Sequence, residues 1–360
     1  VKRVVLVRRN EEKSRESSIE LFRVLSMIII VAHHYVVNSG LMESINMQAR
    51  LELRDYFLLV FGWGGKTGIN CFVLITGFFM CKSTITWKKW LKLLGEVEFY
   101  KIIIFFCFCI AGFEAFSLTT FVKAIFPFFS IADGFTSCFL LFYLFIPFLN
   151  KLVNAITERE HFSLMVLLLT IYTILPSFVK THVTFNYITW FCVIYILASY
   201  IRLYPKKIFE NRRLWGIFLL VSLVLSWLSV IELAYTSRKL GAHVASSYFF
   251  VSDSNKILAL STSICGFLFF KNLKIPLNQG INLIASSTFG VLLIHANSDA
   301  MRGWLWQDVF QNVRFYNSQY LIIHAFGAVL LIYIICTLID MIRVRLIEKP
   351  VAKLLAQYKE

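Results

Sequence analysis

From about residue 19 onward the chain alternates between long apolar runs and short polar connections. Runs of about 20 residues match the ~30 Å of hydrocarbon that a transmembrane helix must cross. The pattern predicts spans at 19–38, 57–80, 97–116, 136–154, 163–181, 186–204, 214–235, 257–272, 281–297 and 320–342. The ninth is short and rich in Ser and Gly, so it is the least regular of the set. The expected fold is all-α, a polytopic integral membrane bundle of about ten transmembrane helices. It divides into a tail over 1–18, a transmembrane domain over 19–342 and a second tail over 343–360. In that last tail Leu346, Val351, Leu354 and Leu355 recur at helical spacing. Such a segment lies along a membrane surface or is a plain solvated end.

Composition narrows the class further. Of 360 residues, 58% are hydrophobic and 16% charged, and the mean hydropathy is +0.70. Ordinary soluble domains are about 25% charged, so a separate soluble domain is excluded. The net charge of +15 would suit nucleic acid, but the charges sit between apolar spans and not on one face. Counting Lys and Arg along ten alternating spans, with the N-terminus inside, puts 24 on the inner side and nine on the outer. That asymmetry is the positive-inside pattern and predicts that both termini are cytoplasmic. Arg23, Lys66 and Lys101 remain within or at the edge of spans. Trp63, Trp87, Trp90, Trp190, Trp215, Trp304 and Trp306 fall near span ends, as interfacial tryptophans do. The cysteines lie mostly inside apolar runs and read as buried free thiols that pack as small hydrophobes. The first apolar run carries Arg23 and has no small-residue cleavage pattern, so it reads as a retained span.

Ionisable groups inside spans are the candidates for chemistry, because each costs about 2.5–3.5 kcal/mol at mid-membrane unless it faces a cavity or a partner. The first span holds Glu20, Arg23, His33 and His34. Eleven residues separate Arg23 from His34, which places them about 20° from one face and about 16 Å apart along the axis. Glu20 stands one turn before Arg23 and can pair with it, whereas His33 is rotated about 100° from His34. Snorkelling of Arg23 and an interfacial His34 would explain the same residues without function. The second span opens on Gly62, Gly64, Gly65 and Gly68, with Lys66 and Asn70 at its outer end; such glycines serve close helix packing. Lys89 and Lys92, three apart after this span, obey the positive-inside pattern and can also reach one polyanion. Late in the chain His295, Asn297 and Arg302 stand at the outer end of the ninth span. Two polar spans each bearing a His favour one shared cavity. No metal site is visible.

Four stretches together resemble the membrane-bound acyltransferase-3 family, the O-acyltransferases of bacterial surface polysaccharides. They are IELFRVLSMIIIVAHH, with Arg23 and His34; GGKTGINCFVLITGFFM, ending in Thr76-Gly77-Phe78; STFGVLLIHAN, with His295; and IEKPVAKLL, with Glu348 and Pro350. The likeness runs from about residue 18 to 355. It departs where the family's basic R-x-x-R is Lys89-x-x-Lys92, which keeps charge but loses bidentate geometry. The Trp often found before the aromatic stretch of the fourth span is missing too, and no hydrolase-like outer domain follows the bundle.

The resemblance implies transfer of an acyl group, acetyl by expectation, from acetyl-CoA on the cytoplasmic side to a hydroxyl of a surface polysaccharide or its lipid-linked precursor. Acyl-CoA, the glycan and membrane lipid are then the partners, and nucleic acid is not. His34 is the expected general base, since a His with pKa near 6.5 can take a sugar hydroxyl proton. Arg23, Lys89 and Lys92 would attract and hold the anionic donor. His295 or Asn70 would serve the oxyanion, and Glu20 and Asn297 would join the substrate contacts. A glycolipid transporter or flippase also suits intramembrane Arg and His, and a polysaccharide polymerase would call for a larger outer loop than the sequence offers.

Overall fold

A computed structural model of the chain describes residues 16–128, 134–179, 181, 183 and 185–357. The basic residues 2–15, Lys180 and Lys359 lie outside them. The described residues contain no strand. The helices are α1 (Ser17–Val37), α2 (Leu41–Asn46), α3 (Leu53–Phe61), α4 (Gly65–Met80), α5 (Trp87–Ile110), α6 (Leu118–Ile125) and α7 (Phe135–Ala155). They continue with α8 (Glu158–Leu169), prolonged to Val179 by wide π-type turns, α9 (Tyr187–Leu203), α10 (Arg212–Lys239) and α11 (Ile257–Lys271). The last are α12 (Gln279–Ser286), α13 (Thr288–His295), α14 (Asp299–Gly303), α15 (Leu321–Arg343) and α16 (Lys349–Gln357).

Six helical runs are long and apolar enough to cross a membrane, or seven if one bent pair counts as a span. The expected ten is not reached on that test, for physical reasons. α5 begins ten residues before the expected 97 and carries Glu96, Glu98 and Lys101. α9 and α11 have 17 and 15 residues, and at about 1.5 Å per residue they fall short of ~30 Å. The ninth segment breaks at Ser287, and beyond His295 the chain turns by 98° into Asp299–Phe315. That last stretch is helical where only a loop was expected.

Burial sorts the helices into a centre and a rim. The run Leu53–Met80 is 72% buried over its most apolar window, and α10 only 17%. α10 and α15 present Ile217, Leu220, Leu228, Ile322, Ile323 and Leu330 outward. An apolar surface this extensive belongs against lipid, where helices keep every backbone group satisfied. The chain is thus a polytopic helical membrane protein. α4 packs against α1, α9 and α11 at once, and glycine makes the fit possible. A Cβ at Gly77 would come within 2.8 Å of the Ala198 methyl, and one at Gly68 within 2.8 Å of the Ser26 carbonyl oxygen.

Two expectations about side chains need correction. Trp190 and Trp306 are fully buried, and Trp63 nearly so; helix contacts claim them before any interface can. Cys107 is exposed on α5 whereas Cys71, Cys81, Cys138, Cys265 and Cys336 are buried.

Contacts also join loops in two sets. Lys206 pairs with Glu158 at 2.9 Å, Lys92 with Glu348 at 2.7 Å, and the Asn272 amide donates to the Phe209 carbonyl at 2.7 Å. At the other end Arg238 donates to the Ile45 carbonyl at 2.8 Å, Lys256 to that of Pro176 at 3.2 Å, and Tyr316 to Asp55. Each set unites segments that the charge pattern assigns to one side.

Beside the first set lies a buried ion cluster. Arg343 donates to Asp340 at 2.9 Å, Glu348 at 3.1 Å and Glu96 at 2.9 Å, while Tyr100 donates to Asp340 at 2.8 Å. The Asp340 carboxylate fills the place of a side chain at Gly290, where a Cβ would meet its Cγ at 2.4 Å. The cluster thereby ties α5 and α15 to α13.

Candidate active site

α1 and α4 meet along Gly64, Gly65 and Gly68. At Gly65 a Cβ would stand 2.3 Å from Cγ of His33, so the imidazole occupies space that only glycine leaves open. His33 Nδ1 lies 2.6 Å from the Gly62 carbonyl oxygen. A carbonyl can only accept, so Nδ1 is the protonated nitrogen of His33.

The same reasoning runs through the next histidine. His295, the last residue of α13, places Nδ1 2.6 Å from the Val291 carbonyl oxygen. Nδ1 therefore carries its proton, and in the neutral ring Nε2 holds a lone pair. His34 Nδ1 is 3.0 Å from that Nε2 and must be the donor. His34 Nε2 is then the unprotonated nitrogen, and it has no hydrogen-bond partner among the described residues. A carbonyl, reaching through one histidine, thus sets the tautomer of another, as carboxylates do for catalytic and metal-bound histidines.

His33 and His34 both face a cavity of about 730 Å³, together with Lys66, Tyr187, Asn297 and Arg302. It is lined on α1 as deep as Ile30. Lys66 donates to the Tyr187 hydroxyl at 2.7 Å. Asn297 donates to the Leu293 carbonyl at 2.9 Å, and Ser298 caps α14 by accepting from the Met301 amide at 3.1 Å. These two bonds build the turn at which the chain leaves α13, and Arg302 pairs with Asp299 just beyond.

Of the residues singled out from the sequence, His34, His295 and Asn297 come together here, with His33, Lys66 and Arg302 on the same cavity. Arg23, Glu20, Asn70, Lys89 and Lys92 do not. Arg23 and Glu20 pair at 3.5 Å, as their spacing implies, but neither lines the cavity. Asn70 is fully buried outside it: its Nδ2 donates to the Ser254 carbonyl at 2.7 Å and its Oδ1 accepts from Trp190 at 3.0 Å. Lys89 bonds the Thr84 carbonyl at 2.7 Å and Lys92 pairs with Glu348, both exposed and away from the cavity. His33, expected on another face, shares the cavity with His34 because its ring folds over Gly65.

Lys66, Tyr187, Lys101 and Lys123 belong to the cavity wall and were not named as site residues. For Lys66 and Lys101 a signal existed, since both are ionisable groups within spans. Tyr187 and Lys123 gave none. Among the described residues no three His, Cys, Asp or Glu side chains converge as metal ligands would.

A lipid-facing helical bundle around a polar, histidine-bearing cavity defines a multi-pass membrane protein with an internal reaction or transport site. Which of these it is follows from comparison. A family model described as an acyltransferase domain matches residues 16–341, and the chain belongs to that family, the acyltransferase-3 family. Neither the curated proteins nor the solved structures yield a significant match.

Proposed function

We propose that this membrane acyltransferase moves an acyl group, most simply acetyl, from acyl-CoA to a hydroxyl of a surface polysaccharide or its lipid-linked precursor. The observation that carries the reading is the bare Nε2 of His34 on the cavity, its tautomer fixed through His295. An acceptor hydroxyl gives its proton to that nitrogen as its oxygen attacks the thioester carbonyl. The tetrahedral intermediate then expels the CoA thiolate, which recovers the proton from His34. His295 has no N–H left for the oxyanion, since its Nδ1–H is engaged by Val291 and its Nε2 accepts from His34, and Asn70 lies buried outside the cavity. Lys66 keeps two N–H groups beyond its bond to Tyr187, and we assign the oxyanion to it. The charge pattern supports a cytoplasmic location for both termini in a bacterial cell membrane. A transporter would not need a base with a fixed tautomer, and family membership does not favour it. The direct test is the O-acyl content of the cell's surface glycan with and without this chain. Loss of ester on deletion, restored by the intact gene, is the expected result, and unchanged ester content refutes the proposal.

For the donor, Lys89 and Lys92 remain the proposed contacts with the CoA phosphates, and Arg23 with its arm. The partner of Lys92 is a weak competitor, because exposed ion pairs contribute only about 0–1 kcal/mol, and Lys89 is held only by the Thr84 carbonyl and the Ser83 hydroxyl. Replacing both lysines with alanine is expected to raise the KM for acetyl-CoA several-fold at constant protein level in isolated membranes. An unchanged KM would reduce the pair to topology signals.

A further inference from the structure

We propose that the acceptor is an anion: a glycan carrying phosphate or carboxylate groups, held by Lys101, Lys123 and Arg302 while its hydroxyl reaches His34. The inference rests on the acyl-transfer reading and names the substrate class of that site. The cavity wall bears four cations, Lys66, Lys101, Lys123 and Arg302, against one carboxylate, Asp299. Asp299 is itself 96% exposed and turned to Arg302. Lys66 donates to Tyr187 and is the group already assigned to the oxyanion. Lys101 and Lys123 form no hydrogen bond or ion pair among the described residues. Glu98, near Lys101 on α5, forms no ion pair with it, and both its carboxylate oxygens are buried without a hydrogen bond.

A second, smaller volume of about 170 Å³ opens beside the first and shares Lys101, Lys123, Asn297 and Ser298 with it, with Glu114 on its far wall. The two lysines therefore stand between two connected spaces, one holding the histidines and one large enough for a single anionic substituent. Cations at membrane depth are costly unless something neutralises them. Among the described residues neither lysine forms an ion pair: Glu98 acts on Lys101 only through its nearby charge, Glu114 shares the smaller volume with both, and Lys123 is exposed. A neutral sugar would be bound mainly through carboxylates and amides that accept from its hydroxyls, and among the described residues the larger volume offers Asp299 and Asn297 for that. Lys123 and Arg302 belong to the end of the bundle opposite Lys89 and Lys92, so the donor's own phosphates have another place to bind.

The test is ligand-induced thermal stabilisation of the full-length protein in nanodiscs of neutral lipid. The probes are a hyaluronan tetrasaccharide for carboxylate, a glycerol phosphate trimer for phosphate, neutral chitotetraose, and coenzyme A. The expected result is a rise in Tm with one or both anionic glycan probes and none with chitotetraose. The rise should vanish at about 0.5 M salt, where screening is nearly complete over a few ångströms. It should vanish also in the K101Q/K123Q variant and persist in K101R/K123R, which keeps the charge and controls for folding. The responding arm identifies the anion. Equal stabilisation by chitotetraose, no stabilisation by either anionic glycan, or a lysine-dependent shift with coenzyme A alone each overturns the proposal. The readout needs no turnover. His34→Ala protein should bind the same probe; unchanged surface ester on deletion of the chain would remove the acyl-transfer reading, and an active His34→Ala enzyme only the base assignment, either result leaving the charge test standing.

Discussion

Acyl transfer falls by about 10²–10⁴-fold when His34 is replaced by alanine, the usual worth of a positioned general base. The variant still inserts and reaches normal level, because His34 lies against the cavity and not in the packed core. His295→Gln should lose less. Its amide can still accept from His34 Nδ1, but the link to the Val291 carbonyl that fixes the tautomer is gone. His33→Ala should be mildest in rate, since that ring is spent on Gly62 and the contact with Gly65. It should nonetheless lower stability, by leaving the glycine cleft unfilled. Initial rates from acetyl-CoA in membranes, normalised to protein, check the order. Activity of His34→Ala near the wild-type level would remove the base assignment, and an equal loss from all three would reduce the histidines to a structural trio.

The largest stability loss is expected at Arg343. Its guanidinium serves Asp340, Glu96 and Glu348 together, and the residue is buried. Arg343→Met strips the shared counter-charge from three carboxylates, of which Asp340 is fully buried and Glu96 largely so. Breaking a buried ion pair costs about 3–5 kcal/mol. Arg343→Lys keeps the charge but cannot reach three carboxylates from a fork, so it should fall between. Thermal unfolding in detergent measures both. A Tm within a degree or two of wild type for Arg343→Met would show that the cluster is ornamental to the fold. Because Asp340 also fills the space at Gly290, loosening the cluster should disturb α13 and His295 with it.

Much of this was legible along single helices. The first-span spacing put Arg23 near His34's face and Glu20 within reach of Arg23, because a helix fixes relations between residues on one segment. The Gly62–Gly68 cluster announced close packing for the same reason. What the sequence could not supply were relations between segments. The bond from His34 to His295 spans 261 positions, and nothing in either span's periodicity encodes that docking. His33 was placed by angle alone, yet a ring can swing across a glycine to a face its Cα does not point toward. Asn70 looked like a site residue because polar groups in spans often are, but Trp190 and Ser254 claim its amide. Asp340 carried a readable signal, an acid inside the last apolar run, whereas Glu96 fell one residue before the expected third span. Their shared partner Arg343 sits where positive-inside counting absorbs it as one more topological charge.

The turn after His295 has a consequence for how acceptor preference can change. Only Ala296 separates the histidine that sets His34's proton from Asn297, and Arg302 follows within two turns of chain. On the proposed roles, selectivity and reactivity share one short segment, and a change there is expected to alter both. Lys123 reaches the same space from α6, a helix in no direct sequence continuity with either histidine. Diversification of acceptors at constant chemistry has its open route through that separate wall, and the stretch Glu114–Lys123 is where swaps between relatives should alter what is acylated without altering how.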